Sequence, residues 1–214
     1  MNIYQDEPTI WEKIAEKADI TPITTFTRHI SRLPISENDI RGDVLVIGPG
    51  FLFPEKIFLT TPESDLRKLR PSIKTLSVCE EELVGGLGSH FEMPSTVLSP
   101  SAKVRLQRQR INFMPSGFLY FAQVIPNERY DLITLFREVD LQGQLENEML
   151  DQIARIIRKN AVFMGSGSFE NIERAANIFS GNRSLVVESL TYLPNPSDGY
   201  PFDTHVGFIA RKTK

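Results

Sequence analysis

The chain has 214 residues, of which 41% are hydrophobic and 24% charged, and its formal net charge is −3. Such a chain fits one globular domain, or one domain with a small appendage. Its single cysteine, Cys79, excludes an intrachain disulfide. No apolar run approaches the roughly 20 residues that span a bilayer. The acidic balance argues against nucleic acid or a membrane as a partner, and the polar N-terminus predicts no signal peptide, so we expect a soluble cytoplasmic protein.

The first 42 residues predict a helical lead-in to the main domain. Pro8 suits the first position of a helix, and apolar residues follow at helical spacing: Ile10, Trp11, Ile14, Ala15 and Ala18. A second helix is predicted from the N-cap Thr21 to Leu33, where Pro34 stops it. We therefore divide the chain into a lead-in, 1–42, and a main domain, 43–214.

From Asp43 onwards the sequence predicts strands that alternate with helices. Val44–Ile47 is an aliphatic, mostly β-branched run, typical of a parallel strand that is buried on both faces. Further strands are predicted at Ile73–Val78, Tyr130–Leu135 and Ala161–Met164, with a weaker one at Ile111–Met114. Gly85–Pro126 otherwise shows little pattern, which is typical of a functional loop or of a mis-assigned element.

Two helices and a pair of strands complete the predicted domain. Leu145–Lys159 has one apolar face and ends in Arg158 and Lys159, where the helix dipole favours cations. Ser168 is the predicted cap of a helix that Gly181 ends. The strands Ser184–Leu193 and His205–Arg211 are joined by a short loop without a helical pattern, so they should be antiparallel. The fold class is therefore α/β, with a Rossmann-like doubly wound, mostly parallel sheet that ends in an antiparallel C-terminal hairpin.

A glycine turn follows the first strand, in the sequence Val44-Leu-Val-Ile-Gly-Pro-Gly50. Gly48 and Gly50 permit positive φ and close backbone approach, and open α/β sheets bind ligands beyond the carboxyl ends of their strands. Pro49 fixes φ and removes a donor, so a plain tight turn is the alternative to a cofactor loop. The residues that follow, Leu52-Phe53-Pro54, suit neither a helix start nor a cofactor contact.

This layout resembles the class I S-adenosylmethionine-dependent methyltransferase fold over roughly residues 43–212. The resemblance implies that S-adenosylmethionine is the cofactor and that Gly48, Pro49 and Gly50 contact its methionine part. It also implies that an acidic residue at the end of the second strand, Glu80 or Glu81, binds the ribose hydroxyls. In this family the fourth strand typically reads like Tyr-Asp-Leu-Ile, as residues 130–133 do, and the residues just after it face the methyl group. The resemblance therefore implies that Phe136, Arg137 and Glu138 border the reaction centre and that Phe136 contacts the cofactor.

The sequence also departs from that family's pattern. Val46 stands where the family commonly has an acidic residue, and Leu52 stands near a common third glycine. The Asn/Asp-Pro-Pro-Tyr signature is absent after Tyr130–Ile133, which argues against DNA or protein-amide substrates. A weaker similarity is to nicotianamine-synthase-like enzymes, which have Leu-Pro after a Gly-x-Gly loop and transfer an aminocarboxypropyl group. Two hypotheses follow: a methyltransferase of a small molecule, or a catalytically inactive relative that serves as a binding or scaffold module.

The candidate catalytic residues are His90, Arg137 and Glu138. His90 lies in a glycine-rich segment and is either a general base or a surface histidine. Arg137 and Glu138 either orient a substrate or form an ion pair on a helix surface. The three histidines and Cys79 show no ligand spacing, so we expect no metal site.

The basic run Lys103–Arg110 places four cations in eight residues. This run either binds phosphates or forms a solvated helix or strand edge, and the acidic net charge of the chain favours the solvated edge. We therefore expect a small-molecule substrate, neither a membrane nor a nucleic-acid partner, and leave open a homodimer formed through the N-terminal helices.

Overall fold

The seven strands of the described chain form one sheet. The computed structural model describes residues 32–48, 53–59, 69–79, 110–114, 118–140, 144–169, 172–181, 184–193 and 204–213. The strands are β1 (Gly42–Ile47), β2 (Ile73–Cys79), β3 (Ile111–Met114), β4 (Tyr130–Asp140), β5 (Ile157–Phe169), β6 (Leu185–Leu193) and β7 (Thr204–Lys212). The helices are α1 (Phe53–Leu59), α2 (Phe118–Val124), α3 (Gln144–Ile156) and α4 (Ile172–Gly181), with a short 3-10 helix at Glu37–Asp39.

The strand order is β3-β2-β1-β4-β5-β7-β6. β1 to β5 pair in parallel, and β7 runs antiparallel between β5 and β6. This arrangement confirms the predicted Rossmann-like sheet with an antiparallel C-terminal hairpin. The chain order reverses between β1 and β4, so a ligand crevice is expected beyond the carboxyl ends of these two strands.

The sheet has an apolar core on each face because its central strands bury both sets of alternating side chains. On one face, Val44 and Val46 of β1 pack with Ile57 and Phe58 of α1. On the other face lie apolar side chains of α2, α3 and α4, among them Phe121, Leu150 and Phe179. We call these the α1 face and the α2 face. No described helix is long and apolar enough to cross a membrane.

The described end of the predicted lead-in packs into the α1 face. Leu33 and Ile40 belong to its core, and both are almost completely buried. Asp39 Oδ1 lies 3.1 Å from Arg211 Nη1 on β7, and Glu37 Oε1 lies 2.8 Å from Arg70 Nη1. Residues 32–41 are thus fixed to the main domain. The predicted helices within residues 1–31 lie outside the described residues, and the boundary at residue 43 stays a prediction.

Several predicted boundaries are wrong where tertiary pairing decides the outcome. The helix α3 ends at Ile156, three residues before Lys159, because Ile157 pairs with Tyr130 of β4. Arg158 therefore lies in β5, and the cation in the last turn of α3 is Arg155. Arg155 donates hydrogen bonds to the backbone oxygens of Ala122 and Ile125 at the end of α2. Such bonds satisfy carbonyls that the end of a helix leaves open.

The strand β5 also continues past its predicted end. Gly165-Ser166-Gly167, which follows the predicted strand Ala161–Met164, continues that strand because each of these residues pairs with β7. Ser168 consequently lies in the strand and caps no helix, and α4 begins at Ile172. An added Cβ at Gly165 would overlap the backbone oxygen of Leu135, so this position needs glycine for the close approach of β4.

An ion-pair network joins the amino ends of the central strands. Asp43 Oδ1 accepts a 2.6 Å hydrogen bond from Thr75, and Asp43 Oδ2 lies 2.7 Å from Arg129 Nη1 and 3.3 Å from Arg158 Nη2. Arg158 also pairs with Asp131. Burial by itself would raise the pKa of the Asp43 carboxyl. The bond from Thr75 and the two arginine charges outweigh burial, so the pKa lies below its ordinary value.

Candidate functional site

The carboxyl edge of the sheet is stepped. β1, β2 and β3 end at the same level, since Ile47 pairs with Cys79 and Cys79 pairs with Met114. β4 and β5 continue beyond that level, and they remain paired as far as Asp140 and Ser168. Leu135, which is level with the end of β1, pairs with Gly165, and the pairing continues for three more residues of β5, so at roughly 3.3 Å per residue the paired edge extends about 10 Å beyond β1. The extensions of β4 and β5, which we call the wall, therefore flank the ends of β1–β3 on one side.

The glycine turn at the end of β1 lies at the foot of the wall. Gly48 has a φ of 52°, which confirms that this position needs the left-handed conformation that glycine adopts without strain. Its N–H donates a 2.9 Å hydrogen bond to the backbone oxygen of Cys79. The Gly48 amide is thus already used, and the residue can serve a ligand by its conformation and its lack of a side chain. Pro49 and Gly50 lie outside the described residues.

A helix does follow the turn, contrary to the expectation for Leu52-Phe53-Pro54. α1 begins at Phe53 and includes Pro54 in its first turn. Proline is tolerated there because the first turn of a helix has no intrahelical acceptor for its N–H groups. The strand–turn–helix order of a ligand-binding α/β unit is therefore complete at this edge.

The ring of Phe136 joins the wall to α1. It stacks on Phe58 with ring centroids 5.7 Å apart and an interplanar angle of 11°. Phe136 is 7% exposed, so most of its surface is used in packing on the α1 face. A contact between Phe136 and a cofactor stays a prediction.

Three buried polar side chains near this edge were not predicted. The hydroxyls of Thr134 and Ser166 are fully buried and find no hydrogen-bond partner within the described ranges. Thr134 pairs with Val46 and Ser166 with Phe136, so both hydroxyls belong to the α1 face at the foot of the wall. Glu55, in the first turn of α1, is 1% exposed. The signal in the sequence was a polar residue inside an apolar segment, as in Ile133-Thr-Leu-Phe136.

Of the remaining predicted site residues, the structure describes the backbone of Arg137 and Glu138 but not Glu80 or His90. Arg137 and Glu138 lie within β4 and not after its end, so they belong to the wall. Glu80 and His90 lie outside the described residues, although Cys79 places the chain before Glu80 at the foot of the crevice. In the described part of the chain, no group of three His, Cys, Asp or Glu side chains is suited to hold a metal ion.

No protein-family model and no curated protein matches this sequence. Solved structures do match its fold. A proposed RNA methyltransferase from Pyrococcus horikoshii is 14% identical, with a TM-score of 0.54 over 88% of this chain and 83% of that one. A proposed sarcosine dimethylglycine methyltransferase from Galdieria sulphuraria is 10% identical, with a TM-score of 0.51 over 83% and 81%.

A third similar structure was solved with a ligand. Pyrococcus horikoshii TYW2, in complex with MeSAdo, is 10% identical to this chain and has a TM-score of 0.53 over 91% of this chain and 64% of that one. At such identities the similarity is one of fold. Together with the strand order and the glycine turn, these comparisons show that the chain has the class I S-adenosylmethionine-dependent methyltransferase fold.

Proposed function

We propose that this protein is an S-adenosylmethionine-dependent methyltransferase that acts on a small molecule. The observation that carries the proposal is the left-handed Gly48 turn at the foot of the wall, in a sheet of class I order. The complex of TYW2 with MeSAdo supports a related ligand for this fold. Because the activity goes beyond the fold, it is tested by measuring whether the protein binds a cofactor analogue.

The crevice fits a nucleoside cofactor in shape and in backbone chemistry. Without a side chain, Gly48 leaves its turn open to close approach, and β1 and β2 end at one level beside the wall. Gly48, Pro49 and Gly50 would hold the methionine part of the cofactor. Glu80, the residue directly after β2, would accept hydrogen bonds from the ribose hydroxyls, as a carboxylate at that position can accept two.

The chain's own contribution to the reaction would be orientation and proton removal. When bound, S-adenosylmethionine supplies an electrophilic methyl group that is transferred by in-line displacement. The wall would orient the acceptor opposite that group, which lowers the entropic part of the barrier. Glu138 or His90 would remove the acceptor's proton, and Arg137, which stays protonated, would orient an anionic substrate.

A small-molecule substrate agrees with the chain's acidic balance and with the missing Asn/Asp-Pro-Pro-Tyr signature. We also propose that the protein is cytoplasmic and that it forms a homodimer through its N-terminal helices.

The second candidate function is that of an inactive binding or scaffold module. Val46 favours it, since it is apolar and completely buried where an acidic residue is common in the family.

Calorimetric titration with S-adenosylhomocysteine separates the two functions. We expect saturable binding, and we expect Glu80→Ala to weaken it about tenfold or more, as the loss of hydrogen bonds to a charged group implies. Glu148→Ala, on the exposed surface of α3, is the matched control and should bind like the wild type. Absence of heat, together with an unchanged melting temperature at millimolar ligand, would instead support the scaffold module.

A further inference from the structure

A cation stands at the start of each of the five parallel strands. It either precedes the strand directly or is the strand's second residue: Arg41 at β1, Lys74 at β2, Arg110 at β3, Arg129 at β4 and Arg158 at β5. We call these five residues the cation row. Neighbouring strands lie about 4.8 Å apart, so the row follows the amino edge of the sheet over about 19 Å. This edge is opposite to the glycine turn.

The protein's own carboxylates neutralise only part of the row. Arg129 and Arg158 pair with Asp43 and Asp131, yet each arginine side chain keeps more than a third of its surface exposed. Arg41, Lys74 and Arg110 are exposed, and no ion pair holds them in the described part of the chain. Lys159, also exposed, follows Arg158 directly. The free charge is thus concentrated at the β3, β2 and β1 end of the row and at Lys159.

Arg41 and Lys74 make no ion pair within the described residues, whereas Arg129 and Arg158 belong to the network around Asp43 and Arg110 donates a 2.7 Å hydrogen bond to the backbone oxygen of Ile73. Cations near the carboxyl end of a helix can be explained by the helix dipole, but Arg155 already occupies that position for α2 and α3. Arg110 has a φ of 65°, a conformation in which glycine or asparagine is less strained than arginine. A charged side chain is therefore present where the backbone would be better served by another residue, and strain of this kind is frequent at functional sites.

The arrangement of the charges selects the type of partner. The large apolar side chains that are exposed in the described residues, Tyr120, Val124 and Val186, lie on α2 and β6 and not in the row. A line of cations matches a line of phosphates, so a polyanionic chain is the partner that this edge complements by charge. The basic run predicted from the sequence, Lys103–Arg110, joins the row at Arg110, although residues 103–109 lie outside the described ranges.

We propose that the cation row binds the phosphate backbone of a single-stranded nucleic acid. This site lies at the edge opposite to the crevice, so it is a docking surface that does not depend on the proposed methyl transfer. Contacts to phosphates carry no sequence information, so RNA and DNA strands of any sequence should bind. The net charge of −3 disfavours nucleic acid for the chain as a whole, but at this edge the five cations of the row outnumber the two carboxylates, Asp43 and Asp131, with which they pair in the described residues.

Fluorescence anisotropy with a labelled oligouridylate of about 20 nucleotides, and with the matching oligothymidylate, tests the site. Arg41→Gln/Lys74→Gln should weaken binding of both by about tenfold at about 0.1 M salt. It should also reduce the slope of log K against log salt by about 1.4, because each lost phosphate contact accounts for about 0.7. Both residues are exposed and make no ion pair with any residue that the structure describes, so the variant should melt like the wild type.

The matched control is Tyr120→Glu/Gln123→Glu, which changes the net charge by the same amount on the exposed surface of α2. Wild-type affinity in this control would support the row as the binding site. An equal loss in both variants would overturn the proposal in favour of a general effect of net charge. It would also be overturned if the wild type failed to bind either strand at low salt, or bound phosphatidylserine vesicles but no oligonucleotide.

Discussion

Replacing Asp43 with asparagine tests whether the ion-pair network at the amino edge stabilises the fold. The substitution keeps the shape of the side chain and removes the charge that faces Arg129 and Arg158. The Asp43 side chain is 9% exposed, whereas the two arginine side chains are 39% and 37% exposed. Removing one partner of a buried pair costs about 3–5 kcal/mol, and an exposed pair contributes at most about 1 kcal/mol.

The partial exposure of the arginines places the expected loss between those limits, at roughly 2–3 kcal/mol in the free energy of unfolding. For a chain of this length, such a loss lowers the melting temperature by about 5–10 °C. Urea denaturation and calorimetry at about pH 7 measure both quantities. Glu37→Gln is the control: its partner is Arg70, and the Glu37 side chain is 49% exposed, so its loss should stay below about 1 kcal/mol.

The pH dependence provides a second measurement of the same network. The pKa of Asp43 in the folded protein lies below its ordinary value of 3.8, so its contribution is complete above that value and is lost as the pH falls through the folded pKa. The difference between wild type and Asp43→Asn should therefore be constant from about pH 7 to about pH 5 and shrink below 3.8. Equal stability of the two proteins at neutral pH, or a difference that does not change with acid, would refute the reasoning.

Three further substitutions have expected outcomes that melting curves can check. Gly165→Ala should cost at least about 3 kcal/mol, because its Cβ would overlap the Leu135 backbone oxygen; a change of less than about 1 kcal/mol would contradict that close approach. Thr134→Val should stabilise the fold by about 1 kcal/mol by removing a buried hydroxyl that has no hydrogen-bond partner among the described residues, and a loss would reveal a partner such as a buried water. Arg155→Met should cost about 2 kcal/mol and increase amide exchange near Ala122, since the end of α2 loses the hydrogen bonds that Arg155 donates; unchanged exchange would argue against this role.

The central strands could be predicted because their signal is local. Val44–Ile47 is an aliphatic run, and Tyr130–Leu135 is rich in residues that favour strands, so the strand character of both segments does not depend on distant residues. The end of α3 could not be located in the same way. Ile156 and Ile157 fit both a helical face and a buried strand, and the choice is made by pairing of Ile157 with Tyr130, a contact between distant parts of the sequence.

The same distinction applies to the candidate site. The need for glycine at position 48 could be predicted from the sequence, because a tight turn after a strand often requires a residue with positive φ. The wall could not be predicted from the sequence, because Gly165-Ser166-Gly167 has the composition of a turn. This segment remains in the strand only through its pairing with β7. Glu55 was missed for a similar reason: a carboxylate in the first turn of a helix usually faces water, and its burial depends on tertiary packing.

The hydrogen bond from Gly48 to Cys79 has a consequence for solution studies of ligand binding. This amide donates to the backbone of the neighbouring strand, so the protein itself should slow its hydrogen exchange. Slow exchange at Gly48 would then be no sign of an occupied crevice. A ligand that displaces the segment after Cys79 would be detected at Gly48 through the shared hydrogen bond, which makes this single amide a sensor for events at the end of β2.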